Sequence, residues 1–287
     1  MVLVIALGSA LFYAFASVLQ HHSATQAPDE DFLHPRLLSK LFKKPIWVLG
    51  ILSDVVGFGL QFWALGRGPL SEVQPLLVCG LIFALPMGAF AAKKGLSKKD
   101  VFGAILVVGG LSLFLAVARP SHGHAASSFS WIVTAVLAMV PVVVLVFIAR
   151  SNIGVKNYKA QILAVAAGIS YGFGAALVDA CSHELSRFGF VTTLSTWKPY
   201  ALLVIAVVTL LLAQSSFQQG PLSDSLPILT AVDPLVSIII GGFLLRESIA
   251  HSWISIVAEI IGIVLMIAGI MTDGKSALVT GFNDGSG

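Results

Sequence analysis

The sequence predicts an all-α polytopic membrane protein: nine transmembrane helices, arranged as two inverted four-helix repeats joined by a linking helix. Three observations predict this fold. Only 11% of the 287 residues are charged and 57% are hydrophobic, whereas a soluble domain needs about 25% charged residues to cover its surface. Apolar runs recur along the whole chain, each of roughly the 20 residues that carry a helix across a bilayer. Finally, one loop-to-helix motif occurs twice. Gly68-Pro69-Leu70-Ser71-Glu72-Val73-Gln74-Pro75-Leu76-Leu77 returns 152 residues later as Gly220-Pro221-Leu222-Ser223-Asp224-Ser225-Leu226-Pro227-Ile228-Leu229.

Taken in order, the spans fall at roughly 2–20, 46–66, 70–92, 100–118, 129–149, 160–181, 200–217, 225–245 and 252–272, by length and hydropathy. No Lys or Arg precedes Arg36, so the first run lacks the basic start of a secretory leader and is expected to remain a membrane helix. The two motif copies open spans 3 and 8. Tyr13-Ala14-Phe15-Ala16 in span 1 matches Tyr171-Gly172-Phe173-Gly174 in span 6, which extends the duplication to the start of each unit. Residues 1–287 thus form one membrane domain. Residues 1–120 are the first repeat, 129–149 the linking helix, 160–273 the second repeat and 274–287 a flexible cytoplasmic tail. A single linking helix starts the second unit from the opposite face, so the repeats are inverted, as in many secondary transporters.

Charge sets the expected orientation. Arg36, Lys40, Lys43, Lys44, Lys93, Lys94, Lys98, Lys99, Arg150, Lys156, Lys159 and Lys275 fall on one side of the nine-span topology, and Arg67, Arg119, Arg187, Lys198 and Arg246 on the other. Twelve of 17 basic residues therefore mark the cytoplasmic face, with the N-terminus outside and the C-terminus inside. The cell membrane, plasma or bacterial inner, is the expected location.

Ionisable groups within the bilayer are costly and are candidates for function. Asp54, Asp233 and Glu259 stand well inside spans, and no Lys or Arg lies comparably deep. Such carboxylates take up a proton or meet a cation. Gly50, Asp54, Gly57 and Gln61 form one stripe of span 2, and Ser255, Glu259, Gly262, Met266 and Gly269 a similar stripe of span 9. Small residues allow close helix packing, so both acids are expected to face the bundle interior. Asp233 precedes Pro234, which frees backbone carbonyls that could join its carboxylate at a cation. Tyr13 and Tyr171, in matched positions, are read either as cavity lining or as core.

The paired motifs suit helix starts. Ser71 with Gln74 has the spacing of a capping box, Glu72 suits the positive helix end, and Ser223 with Asp224 repeats the arrangement. Capping and a gate role at Glu72, Gln74 and Asp224 both remain open. His122 and His124 form a loop pair, His21 and His22 end span 1, and Asp179, His183 and Glu184 end span 6 as solvated interface groups. Cys79 and Cys181 show no disulfide or metal-ligand spacing and are read as small core residues. The chain carries no P-loop, zinc signature or nucleophile–base motif, so neither an enzyme nor a cofactor is expected. The basic residues lie between spans, which speaks against nucleic acid as a partner. The expected partners are a small-molecule or cation substrate and the lipid bilayer; a homodimer is compatible with the pattern.

These paired units resemble the drug/metabolite transporter (EamA-like) superfamily, in which small apolar helices are duplicated in inverted orientation. Leu244-Leu245-Arg246-Glu247-Ser248-Ile249, before the Gly-containing helix that ends at Ala268-Gly269, is similar to that family's acidic loop. Trp47, Gly50, Leu52, Ser53 and Gly57, followed by Phe62, Ala64, Pro69 and Pro75, resemble the second and third helices of the NIPA-like magnesium transporter branch. The chain departs from the superfamily in having nine spans rather than ten, and in placing Gly95 where the first repeat would match Glu247. The resemblance implies alternating-access transport of small solutes or cations. Its nearer branch implies Mg²⁺, which Asp54, Asp233 and Glu259 would hold through retained waters if they converge. A lipid-handling or structural membrane protein is the reading from another class.

Overall fold

Helix accounts for all regular structure in the described residues of a computed structural model, which are 2–65, 76–91, 93, 98–118, 127–151, 156–244, 257–269 and 272. The long elements are α1 (Val2–Ala24), α2 (Arg36–Leu41), α3 (Pro45–Leu65), α4 (Gly80–Ala91), α5 (Lys98–Ala118), α6 (Ser128–Ser151), α7 (Lys159–Leu194), α8 (Lys198–Gln219) and α9 (Leu222–Leu244), followed by α10 (Val257–Gly269). α1, α6, α8 and the Lys159–Val178 part of α7 are long and apolar enough to cross a membrane; Pro45–Gln61, Leu76–Ala91 and Val257–Gly269 are shorter apolar helices. In lipid every backbone N–H and C=O must be paired within the chain, which is why so apolar a sequence resolves into helices. α6 exposes Phe129, Ile132, Val136, Val140, Val143 and Phe147, an exterior that hydrocarbon tails solvate as well as a protein core would.

Two compact units result. The first comprises Met1–Arg119, Phe217–Pro227 and Ala250–Gly287, the second Pro120–Ser216 and Ile228–Ile249. They cut across the sequence repeats because residues of the second repeat pack on helices of the first. At the end of α1, His21 Nε2 lies 2.9 Å from the Gly220 carbonyl, and Gln218 Nε2 donates to the Pro28 carbonyl at 2.8 Å. On α5, the Cβ of an alanine at Gly110 would lie 2.5 Å from the Gly262 carbonyl, and one at Gly269 would lie 2.6 Å from that of Gly103. The pairing of 110 with 262 and 103 with 269 makes α5 and α10 antiparallel.

Within the first unit, α1 lies against α3 and α4. A Cβ at Gly80 would sit 3.0 Å from the Ala10 carbonyl, and Ile5, Ala6 and Ala64 form a buried cluster with Val2 packed against it. The connection after α1 is folded: Lys40 Nζ pairs with the buried Asp31 at 2.6 Å, Lys44 Nζ donates to the Ser23 carbonyl, and Leu37 and Leu41 are fully buried.

Within the second unit, α7 meets α9 and α8. A Cβ at Gly168 would lie 2.7 Å from Val232 Cβ, one at Gly172 2.8 Å from Val236 Cβ, and the Ser216 hydroxyl donates to the Ala160 carbonyl at 2.7 Å. Trp131 of α6 stacks edge-on against Phe173 and Trp197. These contacts match those of the first unit. At the offset of Tyr13 from Tyr171, Ala10 becomes Gly168 and Val2 becomes Ala160. At the motif's offset, Gly80 becomes Val232, Ala64 becomes Ser216 and Gly110 becomes Gly262. The close α1–α4 crossing thus recurs at α7–α9, with the glycine moved to the other helix.

The helix that carries span 6, apolar and membrane-length over Lys159–Val178, continues beyond it: α7 runs to Leu194 across a break at Gly189, whose φ of 79° and ψ of 171° only glycine adopts without strain. One expectation changes. Glu184 is not a solvated interface group. Lys198 Nζ is salt-bridged to it and the Thr196 hydroxyl donates to its other oxygen at 3.0 Å, with both charged side chains about one-fifth exposed. Lys198 also stands 6.0 Å from the Trp131 ring, and a cation over a ring face is attracted to it.

Candidate functional site

The richest polar seam in the first unit runs between α1 and α3. Glycines create it. A Cβ at Gly50 would meet Gln20 Cγ at 3.0 Å and the Ala16 carbonyl at 3.2 Å, and one at Gly57 would meet the Tyr13 ring at 3.1 Å. Without those side chains the helices approach closely enough for hydroxyls to reach the opposite backbone. Ser9 Oγ donates to the Gly57 carbonyl at 2.6 Å, and Ser53 Oγ to that of Phe12 at 2.8 Å. Bonds of this kind between membrane helices are worth on the order of 0.6 kcal/mol each, up to about 1.7.

Two further bonds join side chains. Gln20 Nε2 donates to Asp54 Oδ2 at 2.5 Å, and the Tyr13 hydroxyl to Gln61 Oε1 at 2.7 Å. Gln20 is buried, while Asp54 and Gln61 are half-buried at the edge of the stripe that continues through Gly50, Ser53, Gly57 and Ala64. The predicted stripe of α3 therefore faces a neighbouring helix, and Asp54 finds a neutral amide there rather than a cation. Among the described residues nothing bonds Asp54 Oδ1.

Asp233 belongs to the second unit. Ser237 Oγ, one turn on, donates to the Asp233 carbonyl at 2.9 Å and lies 3.3 Å from its Oδ1. A Cβ at Gly172 would sit 2.9 Å from the same carbonyl, so α7 closes over this turn of α9. Tyr171 is 39% exposed, and at the motif's offset the position matching Gln61 is Ala213.

Glu259 stands on α10 in the first unit, one turn before Gly262, and its Oε1 is buried with no hydrogen-bond partner among the described residues. Asp224 is buried in the first turn of α9, where an acid suits the positive helix end. The helix begins at Leu222, so Ser223 lies inside the first turn instead of capping it. Glu72, Gln74, Ser71, Ser255, Glu247, His122 and His124 lie outside the described residues. Within these limits no three His, Cys, Asp or Glu side chains are grouped to hold a metal ion.

Gln20 was not legible as a site residue. It ends an apolar run, where an amide reads as an interface group, and only the α1–α3 crossing brings it to Asp54. A second feature emerges from the repeat offsets. Each of the three acids set within apolar spans is matched in the other repeat by an apolar residue: Asp54 by Ala206, Asp233 by Leu81 and Glu259 by Val107; the buried Asp224, by contrast, is matched by Glu72. Gln20 is matched by Val178. The close α1–α4 crossing recurs at α7–α9, whereas Asp54, Asp233 and Glu259 each occur once.

Composition and helices together define an α-helical membrane protein. No family model and no solved structure matches the chain. It is similar to an uncharacterized protein of Corynebacterium glutamicum, 28% identical over 270 residues that cover 93% of this chain and 91% of that one. It is also similar to a probable magnesium transporter, NIPA9, of Arabidopsis thaliana, 30% identical over 149 residues, 50% of this chain and 42% of that protein.

Proposed function

We propose that this protein transports a small solute or cation across the cell membrane by alternating access, and that its substrate is a divalent cation of the Mg²⁺ type. The observation that carries this reading is the asymmetry of the three acids set within apolar spans. The close α1–α4 crossing recurs at α7–α9, yet Asp54, Asp233 and Glu259 stand where the other repeat holds Ala206, Leu81 and Val107. An apolar residue therefore serves the fold at those places, and burying an acid there costs several kcal/mol. A group maintained at that cost without serving the scaffold is a candidate for the transport pathway.

The nine-helix inverted repeat is part of the same reading. Matched helices α5 and α10 run antiparallel about Gly110 and Gly262, which inverted duplication produces. Inverted halves provide two similar gates on opposite faces. The end of α1 and the second motif lie side by side through His21 and Gly220, in keeping with a common cytoplasmic face and an N-terminus outside. The similarity to a probable magnesium transporter favours a cation over an organic solute. The apolar groove along Ala135, Met139 and Val143 follows a single helix, so the lipid-handling alternative gains no lateral opening from it.

The test is flux into proteoliposomes of the purified protein, with Mg²⁺, a proton gradient and organic solutes compared. Asp54→Asn, Asp233→Asn and Glu259→Gln are each expected to lower the flux at least tenfold, about 1.4 kcal/mol in barrier. Unchanged flux in all three variants would remove the acids from the pathway.

A further inference from the structure

We infer that Gln20 sets which cation Asp54 accepts, because its amide occupies one carboxylate oxygen and leaves a single oxygen for the substrate. The inference rests on the cation-transport reading of the Asp54 site. Gln20 Nε2 donates to Asp54 Oδ2 at 2.5 Å from a side chain that is only 5% exposed. Its stem lies over Gly50, one turn before Asp54, with Gly50's missing Cβ only 3.0 Å from Gln20 Cγ. The amide is thus seated by the helix crossing itself, and Oδ1 is the oxygen that no described residue bonds.

That arrangement discriminates between cations. Ca²⁺ takes six to eight oxygens and readily accepts a carboxylate through both of them. Mg²⁺ demands a tighter octahedron, keeps several waters and binds one oxygen from each of one or two carboxylates. A carboxylate with one oxygen already committed is an adequate Mg²⁺ ligand and a poor Ca²⁺ chelate. Being neutral, the amide does this without cancelling the charge that attracts the cation, as Lys or Arg would. Moreover, the pair is absent from the second repeat, where Val178 and Ala206 stand in its place.

The experiment measures Mg²⁺ and Ca²⁺ flux, singly and in competition, in proteoliposomes carrying the wild-type chain or Gln20→Met, which keeps the length of the side chain and removes the donor. The expected result is a rise of about tenfold or more in the Ca²⁺-to-Mg²⁺ flux ratio, since a hydrogen bond to a charged group is worth that order. Gly50→Ala, which crowds the Gln20 stem but keeps the amide, should shift the ratio in the same direction by less, and it carries the test if Gln20→Met is not recovered folded. Gln20→Asn reports whether a shorter amide restores selectivity. Equal loss of both fluxes with an unchanged ratio would make Gln20 purely structural and overturn this inference alone. A wild-type chain that moves neither cation would overturn the transport reading, and this inference with it.

Discussion

Gly110 and Gly262 meet backbone to backbone, each so close to the other's carbonyl that an added Cβ would lie 2.5 Å and 2.7 Å away. They are also each other's counterparts in the internal repeat, 152 residues apart. At so close a crossing neither helix has room for a side chain.

Substitution at this crossing is therefore expected to be costly. Gly110→Ala and Gly262→Ala should each destabilise by about 1–3 kcal/mol through overpacking, measured as a lower melting temperature of the purified protein in detergent. Gly109→Ala is the control, because a Cβ at Gly109 would meet nothing within 4 Å. If Gly110→Ala melted with the Gly109 variant, the close crossing would be wrong.

The Lys198–Glu184 pair should show measurable coupling. Both side chains are about one-fifth exposed, between the exposed pairs worth about 0–1 kcal/mol and the buried ones whose disruption costs about 3–5. A double-mutant cycle of Lys198→Met and Glu184→Gln is expected to give about 1–2 kcal/mol of interaction energy. Strictly additive single effects would show that the pair contributes nothing.

Gly189 should tolerate no side chain despite having space for one. Nothing lies within 4 Å of a Cβ built there, so the cost of Gly189→Ala is backbone strain alone, about 1–3 kcal/mol. Gly174→Ala offers the comparison: the neighbouring Ile205 Cγ2 lies at an ordinary 3.5 Å and the backbone there is helical. Thermal melts of the two variants should differ, and identical melts would count against the break in α7.

Asp54 shows how much of the site could be read in advance. Its stripe with Gly50, Gly57 and Gln61 was legible because helical periodicity places them on one side. The structure puts α1 against that side, with glycine contacts at Gly50 and Gly57. The partner was not legible, since Gln20 lies 34 residues away beyond a folded connection. Glu184 was misplaced for a related reason. A charged residue after an apolar run reads as solvated, yet the extension of α7 past 181 brings it to Lys198.

By itself the sequence determined the membrane class, the helical content and the places where helices fall. Each of these depends on hydropathy summed over a run of neighbours, and lipid allows such runs little besides helix. The duplicated motif and the acids embedded in apolar runs are likewise one-dimensional facts. Only the tertiary structure decided which small residues meet, that Gly110 faces its own repeat-mate, that residues 217–227 join the first unit, and that an amide holds Asp54. Those are contacts between residues far apart in the chain, selected by where glycine lets two backbones approach, and no local pattern encodes the far side of a contact.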